Sequence, residues 1–229
     1  MNEALYAISI WALPIILAIT LHEAAHGFVA WRLGDPTARD LGRVTANPIK
    51  HIDPFGTIIL PLLLYLSPAP FLFGYAKPVP VNSRNLGKPR RDSAIVAFAG
   101  PGSNLLLALI SALLIHVASQ VPGTTGEWLV ANLNNSIWVN LVLAVLNLLP
   151  LPPLDGGRIA VGLLPRPLAV PLARTERYGL FILIGLLFLL PWLGREIGYD
   201  IDIVAWVIVK PVMVLFDFVT ALTGLSTGA

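Results

Sequence analysis

A short motif inside an apolar stretch has the residue types and spacing of a zinc site. In the segment LHEAAHG, His22 and His26 are four residues apart, so on a helix both imidazoles share one face and can bind one metal ion. Glu23 follows the first histidine, where its carboxylate can reach a water molecule on the metal without binding the metal itself. A catalytic zinc ion generally has three protein ligands and one open position, so this motif supplies two of the three.

The surroundings of this motif make its ionisable groups informative. The preceding stretch YAISIWALPIILAIT is apolar, and no charged residue lies between Glu3 and His22. An ionisable side chain at membrane depth costs about 2.5–3.5 kcal/mol on insertion scales, so three of them on adjacent turns favour a bound metal. The alternative is that both histidines hydrogen-bond neighbouring helices while the glutamate pairs with a basic residue.

The third ligand is expected to be a carboxylate or a histidine that reaches the same depth. At about 1.5 Å per residue, His22 and His26 lie roughly 12–18 Å from the end of their helix near Gly34. Asp155 borders an apolar span on that side, in the stretch NLLPLPPLDGGR, where prolines end helical hydrogen bonding just before it. An Asp-Gly turn at a membrane surface has the same sequence, so the stretch gains its meaning only beside the HEAAH helix.

The composition is typical of a polytopic membrane protein. Only 12% of the 229 residues are charged, against about 25% in soluble domains, and the mean hydropathy is +0.77. The sequence has no cysteine, which excludes disulfides and cysteine-based metal sites. The first apolar segment has no basic residue before it and no cleavage pattern after it, so we expect a retained helix instead of a signal peptide.

Apolar stretches of span length predict an all-α polytopic membrane protein. We expect spans over about 5–33, 93–119, 136–149, 178–193 and 203–222. Residues 54–76 are also apolar but are interrupted by Pro61, Pro68, Pro70 and Gly74, and hydropathy alone would count them as a sixth span. We favour a re-entrant hairpin with a short β element between the first and second full spans, within a total of five to six transmembrane helices. The chain then divides into a catalytic membrane core, residues 1–160, and a C-terminal pair of helices, residues 161–229, without a separate soluble domain.

The basic residues predict the orientation in the membrane. Connectors 32–53, 77–92 and 155–177 hold four, five and four of the fifteen Lys and Arg residues, which makes thirteen. Because Lys and Arg accumulate on the cytoplasmic side of short loops, all three connectors are expected to be cytoplasmic. This requires residues 54–76 to return to the side that they left. It places the N-terminus outside, the C-terminus inside, and the metal site toward the cytoplasmic side of the cell membrane.

Three motifs, in their order along the chain, resemble the site-2 protease family of intramembrane zinc metalloproteases. They are HEAAHG, AGPGSN at residues 99–104 and NLLPLPPLDGGR at residues 147–158, and the resemblance covers roughly residues 5–160. It implies one Zn²⁺ ion held by His22, His26 and Asp155, with Glu23 as the general base. It also places Asn147 beside the active site as a group that stabilises the oxyanion, and Asn104 is a second candidate for that role.

The stretches LGRVTANPIKHIDPFGTIILP and YAKPVPVN are similar to the compact bacterial branch of the same family. That resemblance implies a protein without PDZ or CBS domains, whose regulation is either absent or supplied by a separate partner protein. The implied activity is regulated intramembrane proteolysis, the hydrolysis of peptide bonds within or near transmembrane segments of membrane-protein substrates. The expected partners are such a substrate and the lipid bilayer, with no nucleic acid.

A helical substrate must be extended before a protease can reach its carbonyl groups, and the YAKPVPVN segment is a candidate strand edge for pairing with it. Two other interpretations stay open at this point. Embedded His and Glu residues also mark transporters and ion pathways, although the sequence has no internal repeat of the kind many transporters show. A catalytically inactive, protease-like scaffold is the second alternative.

Overall fold

The computed structural model describes residues 3–66, 74–198 and 202–225, and this part of the chain contains helices and no β-strands. Short 3₁₀ turns precede or follow several helices, and π-helical turns at Pro54–Ile59, Gly185–Leu189 and Ala205–Val209 lead directly into three of them. The α-helices of the described residues are α1 (Glu3–Arg32), α2 (Thr37–Asp40), α3 (Leu60–Leu66), α4 (Pro89–Ala118), α5 (Gly123–Leu148), α6 (Asp155–Leu163), α7 (Arg166–Arg174), α8 (Gly179–Ile184), α9 (Leu190–Glu196) and α10 (Lys210–Thr223).

Five helical segments of the described chain are long and apolar enough to cross a membrane. They are Glu3–Arg32, Pro89–Ala118, Gly123–Leu148, Arg166–Glu196 and Ala205–Thr223. The predicted all-α polytopic fold with about five spans is therefore confirmed.

The third span begins at Gly123, well before the expected start near residue 136, so the predicted start of this span is wrong. Its asparagines resemble a loop in the sequence, but they bond within the bundle. Asn132 Nδ2 donates to the Trp128 carbonyl of its own helix. Asn135 Nδ2 donates to the Ile10 carbonyl of α1 at 3.0 Å. An amide whose N–H groups find carbonyl partners in this way can lie inside a span.

The three basic connectors meet at one end of the helix bundle. Asp35, just after α1, accepts a hydrogen bond of 2.9 Å from Asn85 Nδ2, just before α4. Arg90, in the first turn of α4, donates to the Leu164 carbonyl between α6 and α7. The connectors that contain thirteen of the fifteen Lys and Arg residues therefore meet at the end of the bundle where α1 ends and α4 begins, which we call the basic end.

The segment between α1 and α4 leaves the basic end and returns to it. The Tyr75 N–H donates to the Gly56 carbonyl at 3.0 Å, and the Lys77 N–H donates to the His51 carbonyl at 2.9 Å. The two ends of residues 54–76 are thus at the same level of the bundle. Residues 67–73, including Pro68 and Pro70, lie outside the described residues, so re-entry into a membrane stays a prediction. The predicted short β element is not found among the described residues, where 74–82 are extended but unpaired as a strand.

The pair formed by α4 and α5 is the centre of the bundle, and its two halves differ in character. Toward the basic end, α4 buries polar groups against α1. Toward the other end, and along the side of α5 that meets α10, helices α4, α5 and α10 bury an apolar cluster whose residues are Ala108, Ala112, Ile115, Ile137, Leu141, Val145, Val212 and Val219.

Candidate metal centre

The three residues predicted to bind zinc meet between α1 and the start of α6. His22 Nε2 and His26 Nε2 lie 3.1 Å apart, and Asp155 Oδ2 lies 3.2 Å from the first and 3.3 Å from the second. All three residues are at most 9% exposed. Ligands placed tetrahedrally at about 2.0–2.1 Å from zinc are about 3.3 Å from one another. The triangle of ligand atoms therefore has the size of one face of a zinc tetrahedron.

The second ring nitrogen of each histidine identifies where the proton lies. His22 Nδ1 is 2.6 Å from Asn104 Oδ1, and His26 Nδ1 is 2.7 Å from the carbonyl oxygen of Val96. Both partners are acceptors, so each Nδ1 carries a hydrogen, and in the neutral imidazole, the form that binds metals, Nε2 then carries the lone pair. Two lone pairs and the Asp155 carboxylate then face one another with no proton between them. Three acceptors this close repel each other unless a cation lies among them, and the donor set fits zinc.

Helix α4 approaches the two imidazoles through Gly100. A Cβ atom at this position would lie 2.4 Å from His26 Nε2 and 2.6 Å from His22 Nε2, closer than non-bonded atoms can come. The close approach therefore requires glycine. Asn104 lies one turn further along the same face of α4 and reaches His22 with its side chain. The AGPGSN motif thus forms the wall of the site opposite α1.

Asp155 reaches the histidines because the chain turns back sharply at the end of α5. Proline cannot donate a helical hydrogen bond, and α5 ends at Leu148, immediately before the proline-rich stretch. A Cβ atom on Gly156 would lie 2.2 Å from the Leu148 carbonyl oxygen, so the Asp-Gly pair packs directly on the last turn of α5. As the first residue of α6, Asp155 is held at this turn and faces α1.

Glu23 lies beside the ligand cluster but outside it. Its Oε2 accepts a hydrogen bond of 2.9 Å from the backbone N–H of Val79. The side chain is half-buried, unlike those of the neighbouring ligands. Orientation by a backbone donor and partial exposure are properties that a general base needs, and this role of Glu23 stays a prediction.

Val79 belongs to an extended segment, residues 74–82, that the sequence analysis predicted only as a strand edge. Polar contacts hold this segment along its length. The Lys77 carbonyl accepts from Arg43 Nη2 at 2.7 Å, in addition to the bond between the Lys77 N–H and His51. The Asn82 N–H donates to Asp35 Oδ2 at 2.6 Å. Glu23 is therefore coupled, through Val79, to the connectors at the basic end.

Asp35 is a residue whose role sequence reasoning missed, because the Gly-Asp-Pro stretch was interpreted only as the end of a helix. Its side chain is fully buried. Burial raises the pKa of Asp35, but hydrogen bonds from Thr37, Asn85 and Asn82 outweigh that effect and hold the pKa below its usual range. The local signal was an Asp followed two residues later by Thr, a pair that forms a side-chain turn.

The two asparagines predicted to stabilise the oxyanion lie in different surroundings. Asn104 is fully buried and contacts His22. Asn147 is half-buried near the end of α5, and its Nδ2 donates to the Leu143 carbonyl at 3.0 Å, one turn back. The structure thus brings Asn104 to a metal ligand, and the oxyanion role of both residues stays a prediction.

Comparisons with known proteins agree with this site. The model of the family described as Peptidase family M50 matches residues 10–127 and 115–190. "Putative zinc metalloprotease YwhC" of Bacillus subtilis (strain 168) is 45% identical over 183 residues, covering 78% of this chain and 80% of the relative. "Putative zinc metalloprotease Rip2" of Mycolicibacterium smegmatis is 32% identical over 192 residues, covering 83% and 70%. The protein of the same name from Mycobacterium tuberculosis is 31% identical over 191 residues, with the same coverage. No solved structure matches the chain.

The family match extends over most of the chain and includes every helix that contributes to the His–His–Asp cluster. The most similar of these relatives is named as a zinc metalloprotease, and the match covers 80% of its length. The motif order, the ligand triangle and the family match all agree. The chain belongs to peptidase family M50, the site-2 protease family of zinc metalloproteases.

Proposed function

We propose that this protein is an intramembrane endopeptidase that cuts peptide bonds within or near the transmembrane segments of other membrane proteins. The observation that carries the proposal is the depth of His22 and His26 within α1, measured from the end of that helix. His22 and His26 are six to ten residues from the end of α1 at Arg32, which is about 9–15 Å along a helix. A site at that depth, walled by helices of span length, acts on bonds at the same depth.

His22, His26 and Asp155 would hold the zinc ion, leaving a fourth position for water or substrate. When bound, zinc supplies a Lewis acid that lowers the pKa of water and polarises a carbonyl group. Glu23 takes the proton of the attacking water and delivers it to the leaving nitrogen. One N–H of the Asn147 side-chain amide donates to the Leu143 carbonyl. The second N–H of this amide is the candidate donor to the oxyanion.

The substrate would enter as an extended chain beside residues 74–82. Paired along this segment, its backbone would lie next to Glu23, because the Val79 N–H already reaches that carboxylate. Pro78 and Pro80 have no N–H, and the Val79 N–H already donates to Glu23, so pairing would use the N–H of Val81. Val81→Pro removes this donor and should abolish cleavage while zinc stays bound. Cleavage at the wild-type rate by this variant would contradict the pairing.

The grouping of thirteen of fifteen basic residues at the basic end supports a multi-pass protein of the cell membrane with that end in the cytoplasm. The same orientation places the catalytic core of residues 1–160 so that the metal site is nearer the cytoplasmic side, with residues 161–229 as an appended pair of helices. The sequence has no cysteine, so a thiol reagent reacts only with cysteines that are introduced. Single substitutions Ser83→Cys and Thr124→Cys therefore show on which side of the membrane each position lies. Labelling of Ser83→Cys from outside intact cells would contradict this orientation.

The function is tested by comparing wild type with Glu23→Gln in purified, detergent-solubilised protein. Both should contain about one zinc ion, because Glu23 is not a ligand, and only the wild type should cleave a membrane-embedded reporter helix. Glu127→Gln makes the same chemical change at an exposed position far along the chain, at the opposite end of the bundle, and serves as the matched control.

The possible outcomes separate the proposed function from the two alternatives. A wild-type protein without zinc would favour a transporter or ion pathway. Zinc without cleavage of any of several reporter helices would favour an inactive scaffold. Equal cleavage by wild type and Glu23→Gln would show that another group acts as the base.

A further inference from the structure

A buried chain of polar side chains runs from His22 away from the zinc ligands into the centre of the bundle. Asn104 is 0% exposed and Asn140 of α5 is 1% exposed. Asn104 Nδ2 donates to Asn140 Oδ1 at 2.8 Å and to the Ala18 carbonyl at 3.3 Å. Asn140 Nδ2 in turn donates to the Ser136 carbonyl at 2.8 Å. Neither asparagine is among the three predicted zinc ligands, yet both lie where a polar group is costly.

The chain has a fixed direction because a backbone carbonyl can only accept. The Ser136 carbonyl requires the nitrogen of the Asn140 amide, which turns Asn140 Oδ1 toward Asn104. That oxygen requires the nitrogen of the Asn104 amide, which turns Asn104 Oδ1 toward His22. Asn104 Oδ1 then accepts the hydrogen of His22 Nδ1. Each donor in the series points away from the metal.

Reversing the Asn104 amide would reverse the histidine as well. Its nitrogen would face His22 Nδ1, which would have to carry a lone pair, and the proton would move to Nε2. A proton on Nε2 occupies the position that zinc requires. The orientation of an amide one helix away therefore decides whether His22 can act as a ligand.

We infer that Asn140 is a positioning residue for the zinc site: through the Asn104 amide it keeps the His22 proton on Nδ1 and leaves Nε2 free for the metal. The inference rests on the ligand set of the proposed function. It goes beyond that set because Asn140 contacts neither a ligand nor the substrate path. The nearby Ser111 and Ser136 hydroxyls, 2.8 Å apart, extend the same network toward the apolar half of α4 and α5.

The test measures zinc affinity of the full-length protein in detergent by competition with a chelator. Asn140→Leu keeps the size of the side chain and removes both bonding groups. Outer partners of zinc-binding histidines contribute about 10–100-fold to metal affinity, and we expect a loss of about 10-fold here and a larger one for Asn104→Leu. Asn140→Asp retains an oxygen acceptor for Asn104 and should recover most of the affinity.

Asn132→Leu is the matched control. Asn132 is a buried asparagine of the same helix, but its Nδ2 bonds only the Trp128 carbonyl of that helix, two turns from Asn140. Its loss should change zinc affinity less than 2-fold. Thermal unfolding of every variant shows whether the bundle is intact.

A second measurement does not depend on zinc or on activity. The chain has four histidines, so an NMR spectrum of the zinc-free, ¹⁵N-histidine-labelled protein contains few signals. The signal that is missing from the spectrum of His22→Gln belongs to His22. Wild type should show His22 protonated at Nδ1, and Asn140→Leu should show a new population protonated at Nε2.

Wild-type zinc affinity in Asn140→Leu, or an equal loss in Asn132→Leu, would overturn the inference. So would an unchanged His22 spectrum in Asn140→Leu. A wild-type protein that binds no zinc would instead contradict the proposed function, so the two failures are distinguishable.

Discussion

Helices α4 and α5 pack side by side, yet the two halves of this pair are held by different forces. Toward the basic end, Gly100 and Asn104 meet the histidines of α1 with contacts whose direction is fixed. In the other half, Ala112, Ile115 and Ile137 are buried in a cluster that lacks directional bonds among its members. Helix α10 completes the second half and contributes nothing to the ligand triangle.

This difference predicts two kinds of response to substitution. In the half near the metal centre, replacing a single atom changes which group donates a hydrogen bond and which accepts it. Function should therefore be lost while the helices remain folded. In the apolar half, packing depends on volume, so a change should reduce stability and leave the chemistry intact. Each prediction below tests one side of this contrast.

The largest effect is expected from Asp155→Ala, which removes one corner of the ligand triangle. Two histidines bind zinc much more weakly than three ligands, so zinc affinity should fall by more than about 100-fold, beyond the range found for outer partners. Cleavage should be lost with it. Metal analysis after dialysis is the measurement, and Asp202→Ala, far along the chain in an exposed position, is the control. Full zinc occupancy in Asp155→Ala would mean that the ligand set is wrong.

Gly100→Ala should have nearly as large an effect, although it adds only a methyl group. The new Cβ would overlap both Nε2 atoms, so either α4 moves away or the imidazoles rotate out of the triangle. We expect zinc affinity to fall by about 10–100-fold, as for other changes next to metal ligands. Gly102→Ala, whose Cβ would lie 3.3 Å from the Phe98 ring, makes the same change two residues along and should keep its zinc. Equal losses in both variants would indicate general helix damage.

Val79→Pro should separate catalysis from metal binding. It removes the N–H that orients Glu23 and leaves the three ligands in place. A misplaced catalytic group can cost about 100-fold in rate, so kcat should fall by about that factor with zinc content unchanged. Val79→Ala keeps the N–H and should retain most of the activity. Loss of zinc in Val79→Pro would show instead that the extended segment supports the whole site.

The sequence was sufficient for the parts of the site that depend on local periodicity. The i and i+4 spacing of His22 and His26 places both rings on one face of a helix whatever surrounds it, and the apolar runs predicted five spans. The proline-rich stretch before Asp155 indicated a turn, although not the tight packing of Gly156 on α5.

The contacts that orient these groups could not be predicted, because they join segments far apart in sequence. Glu23 and Val79 are 56 residues apart, and His22 and Asn104 are 82 apart. Nothing local distinguishes Asn140, which orients Asn104, from Asn134, which is exposed on the same helix. The same limitation caused the error at the start of α5, where buried asparagines were interpreted as a loop.

In the apolar half, Ile115→Ala in the last turn of α4 should reduce stability and leave activity within about 2-fold. Such a substitution costs about 2–5 kcal/mol in water-soluble proteins. We expect about 2 kcal/mol, because lipid is as apolar as the protein interior and only the packing loss remains. Denaturant or thermal unfolding in detergent gives the change, and zinc content should match wild type. Loss of zinc in Ile115→Ala would contradict the contrast between the two halves.

The smallest effect is expected from Asp35→Asn at the basic end, where polar contacts stabilise the extended segment instead of the metal. The native pKa of Asp35 is lower than that of the unfolded chain, so the carboxylate stabilises the fold above about pH 4, the ordinary value for Asp. This contribution is lost as the pH falls through the native pKa, because the protonated acid is a weaker acceptor. At neutral pH the variant should be less stable by about 1 kcal/mol. The difference should shrink steadily as the pH falls below about 4, when wild type loses the same charge. A stability difference between Asp35→Asn and wild type that is independent of pH would mean that the amide fails to fit the turn for a steric reason, and that the charge of Asp35 contributes nothing.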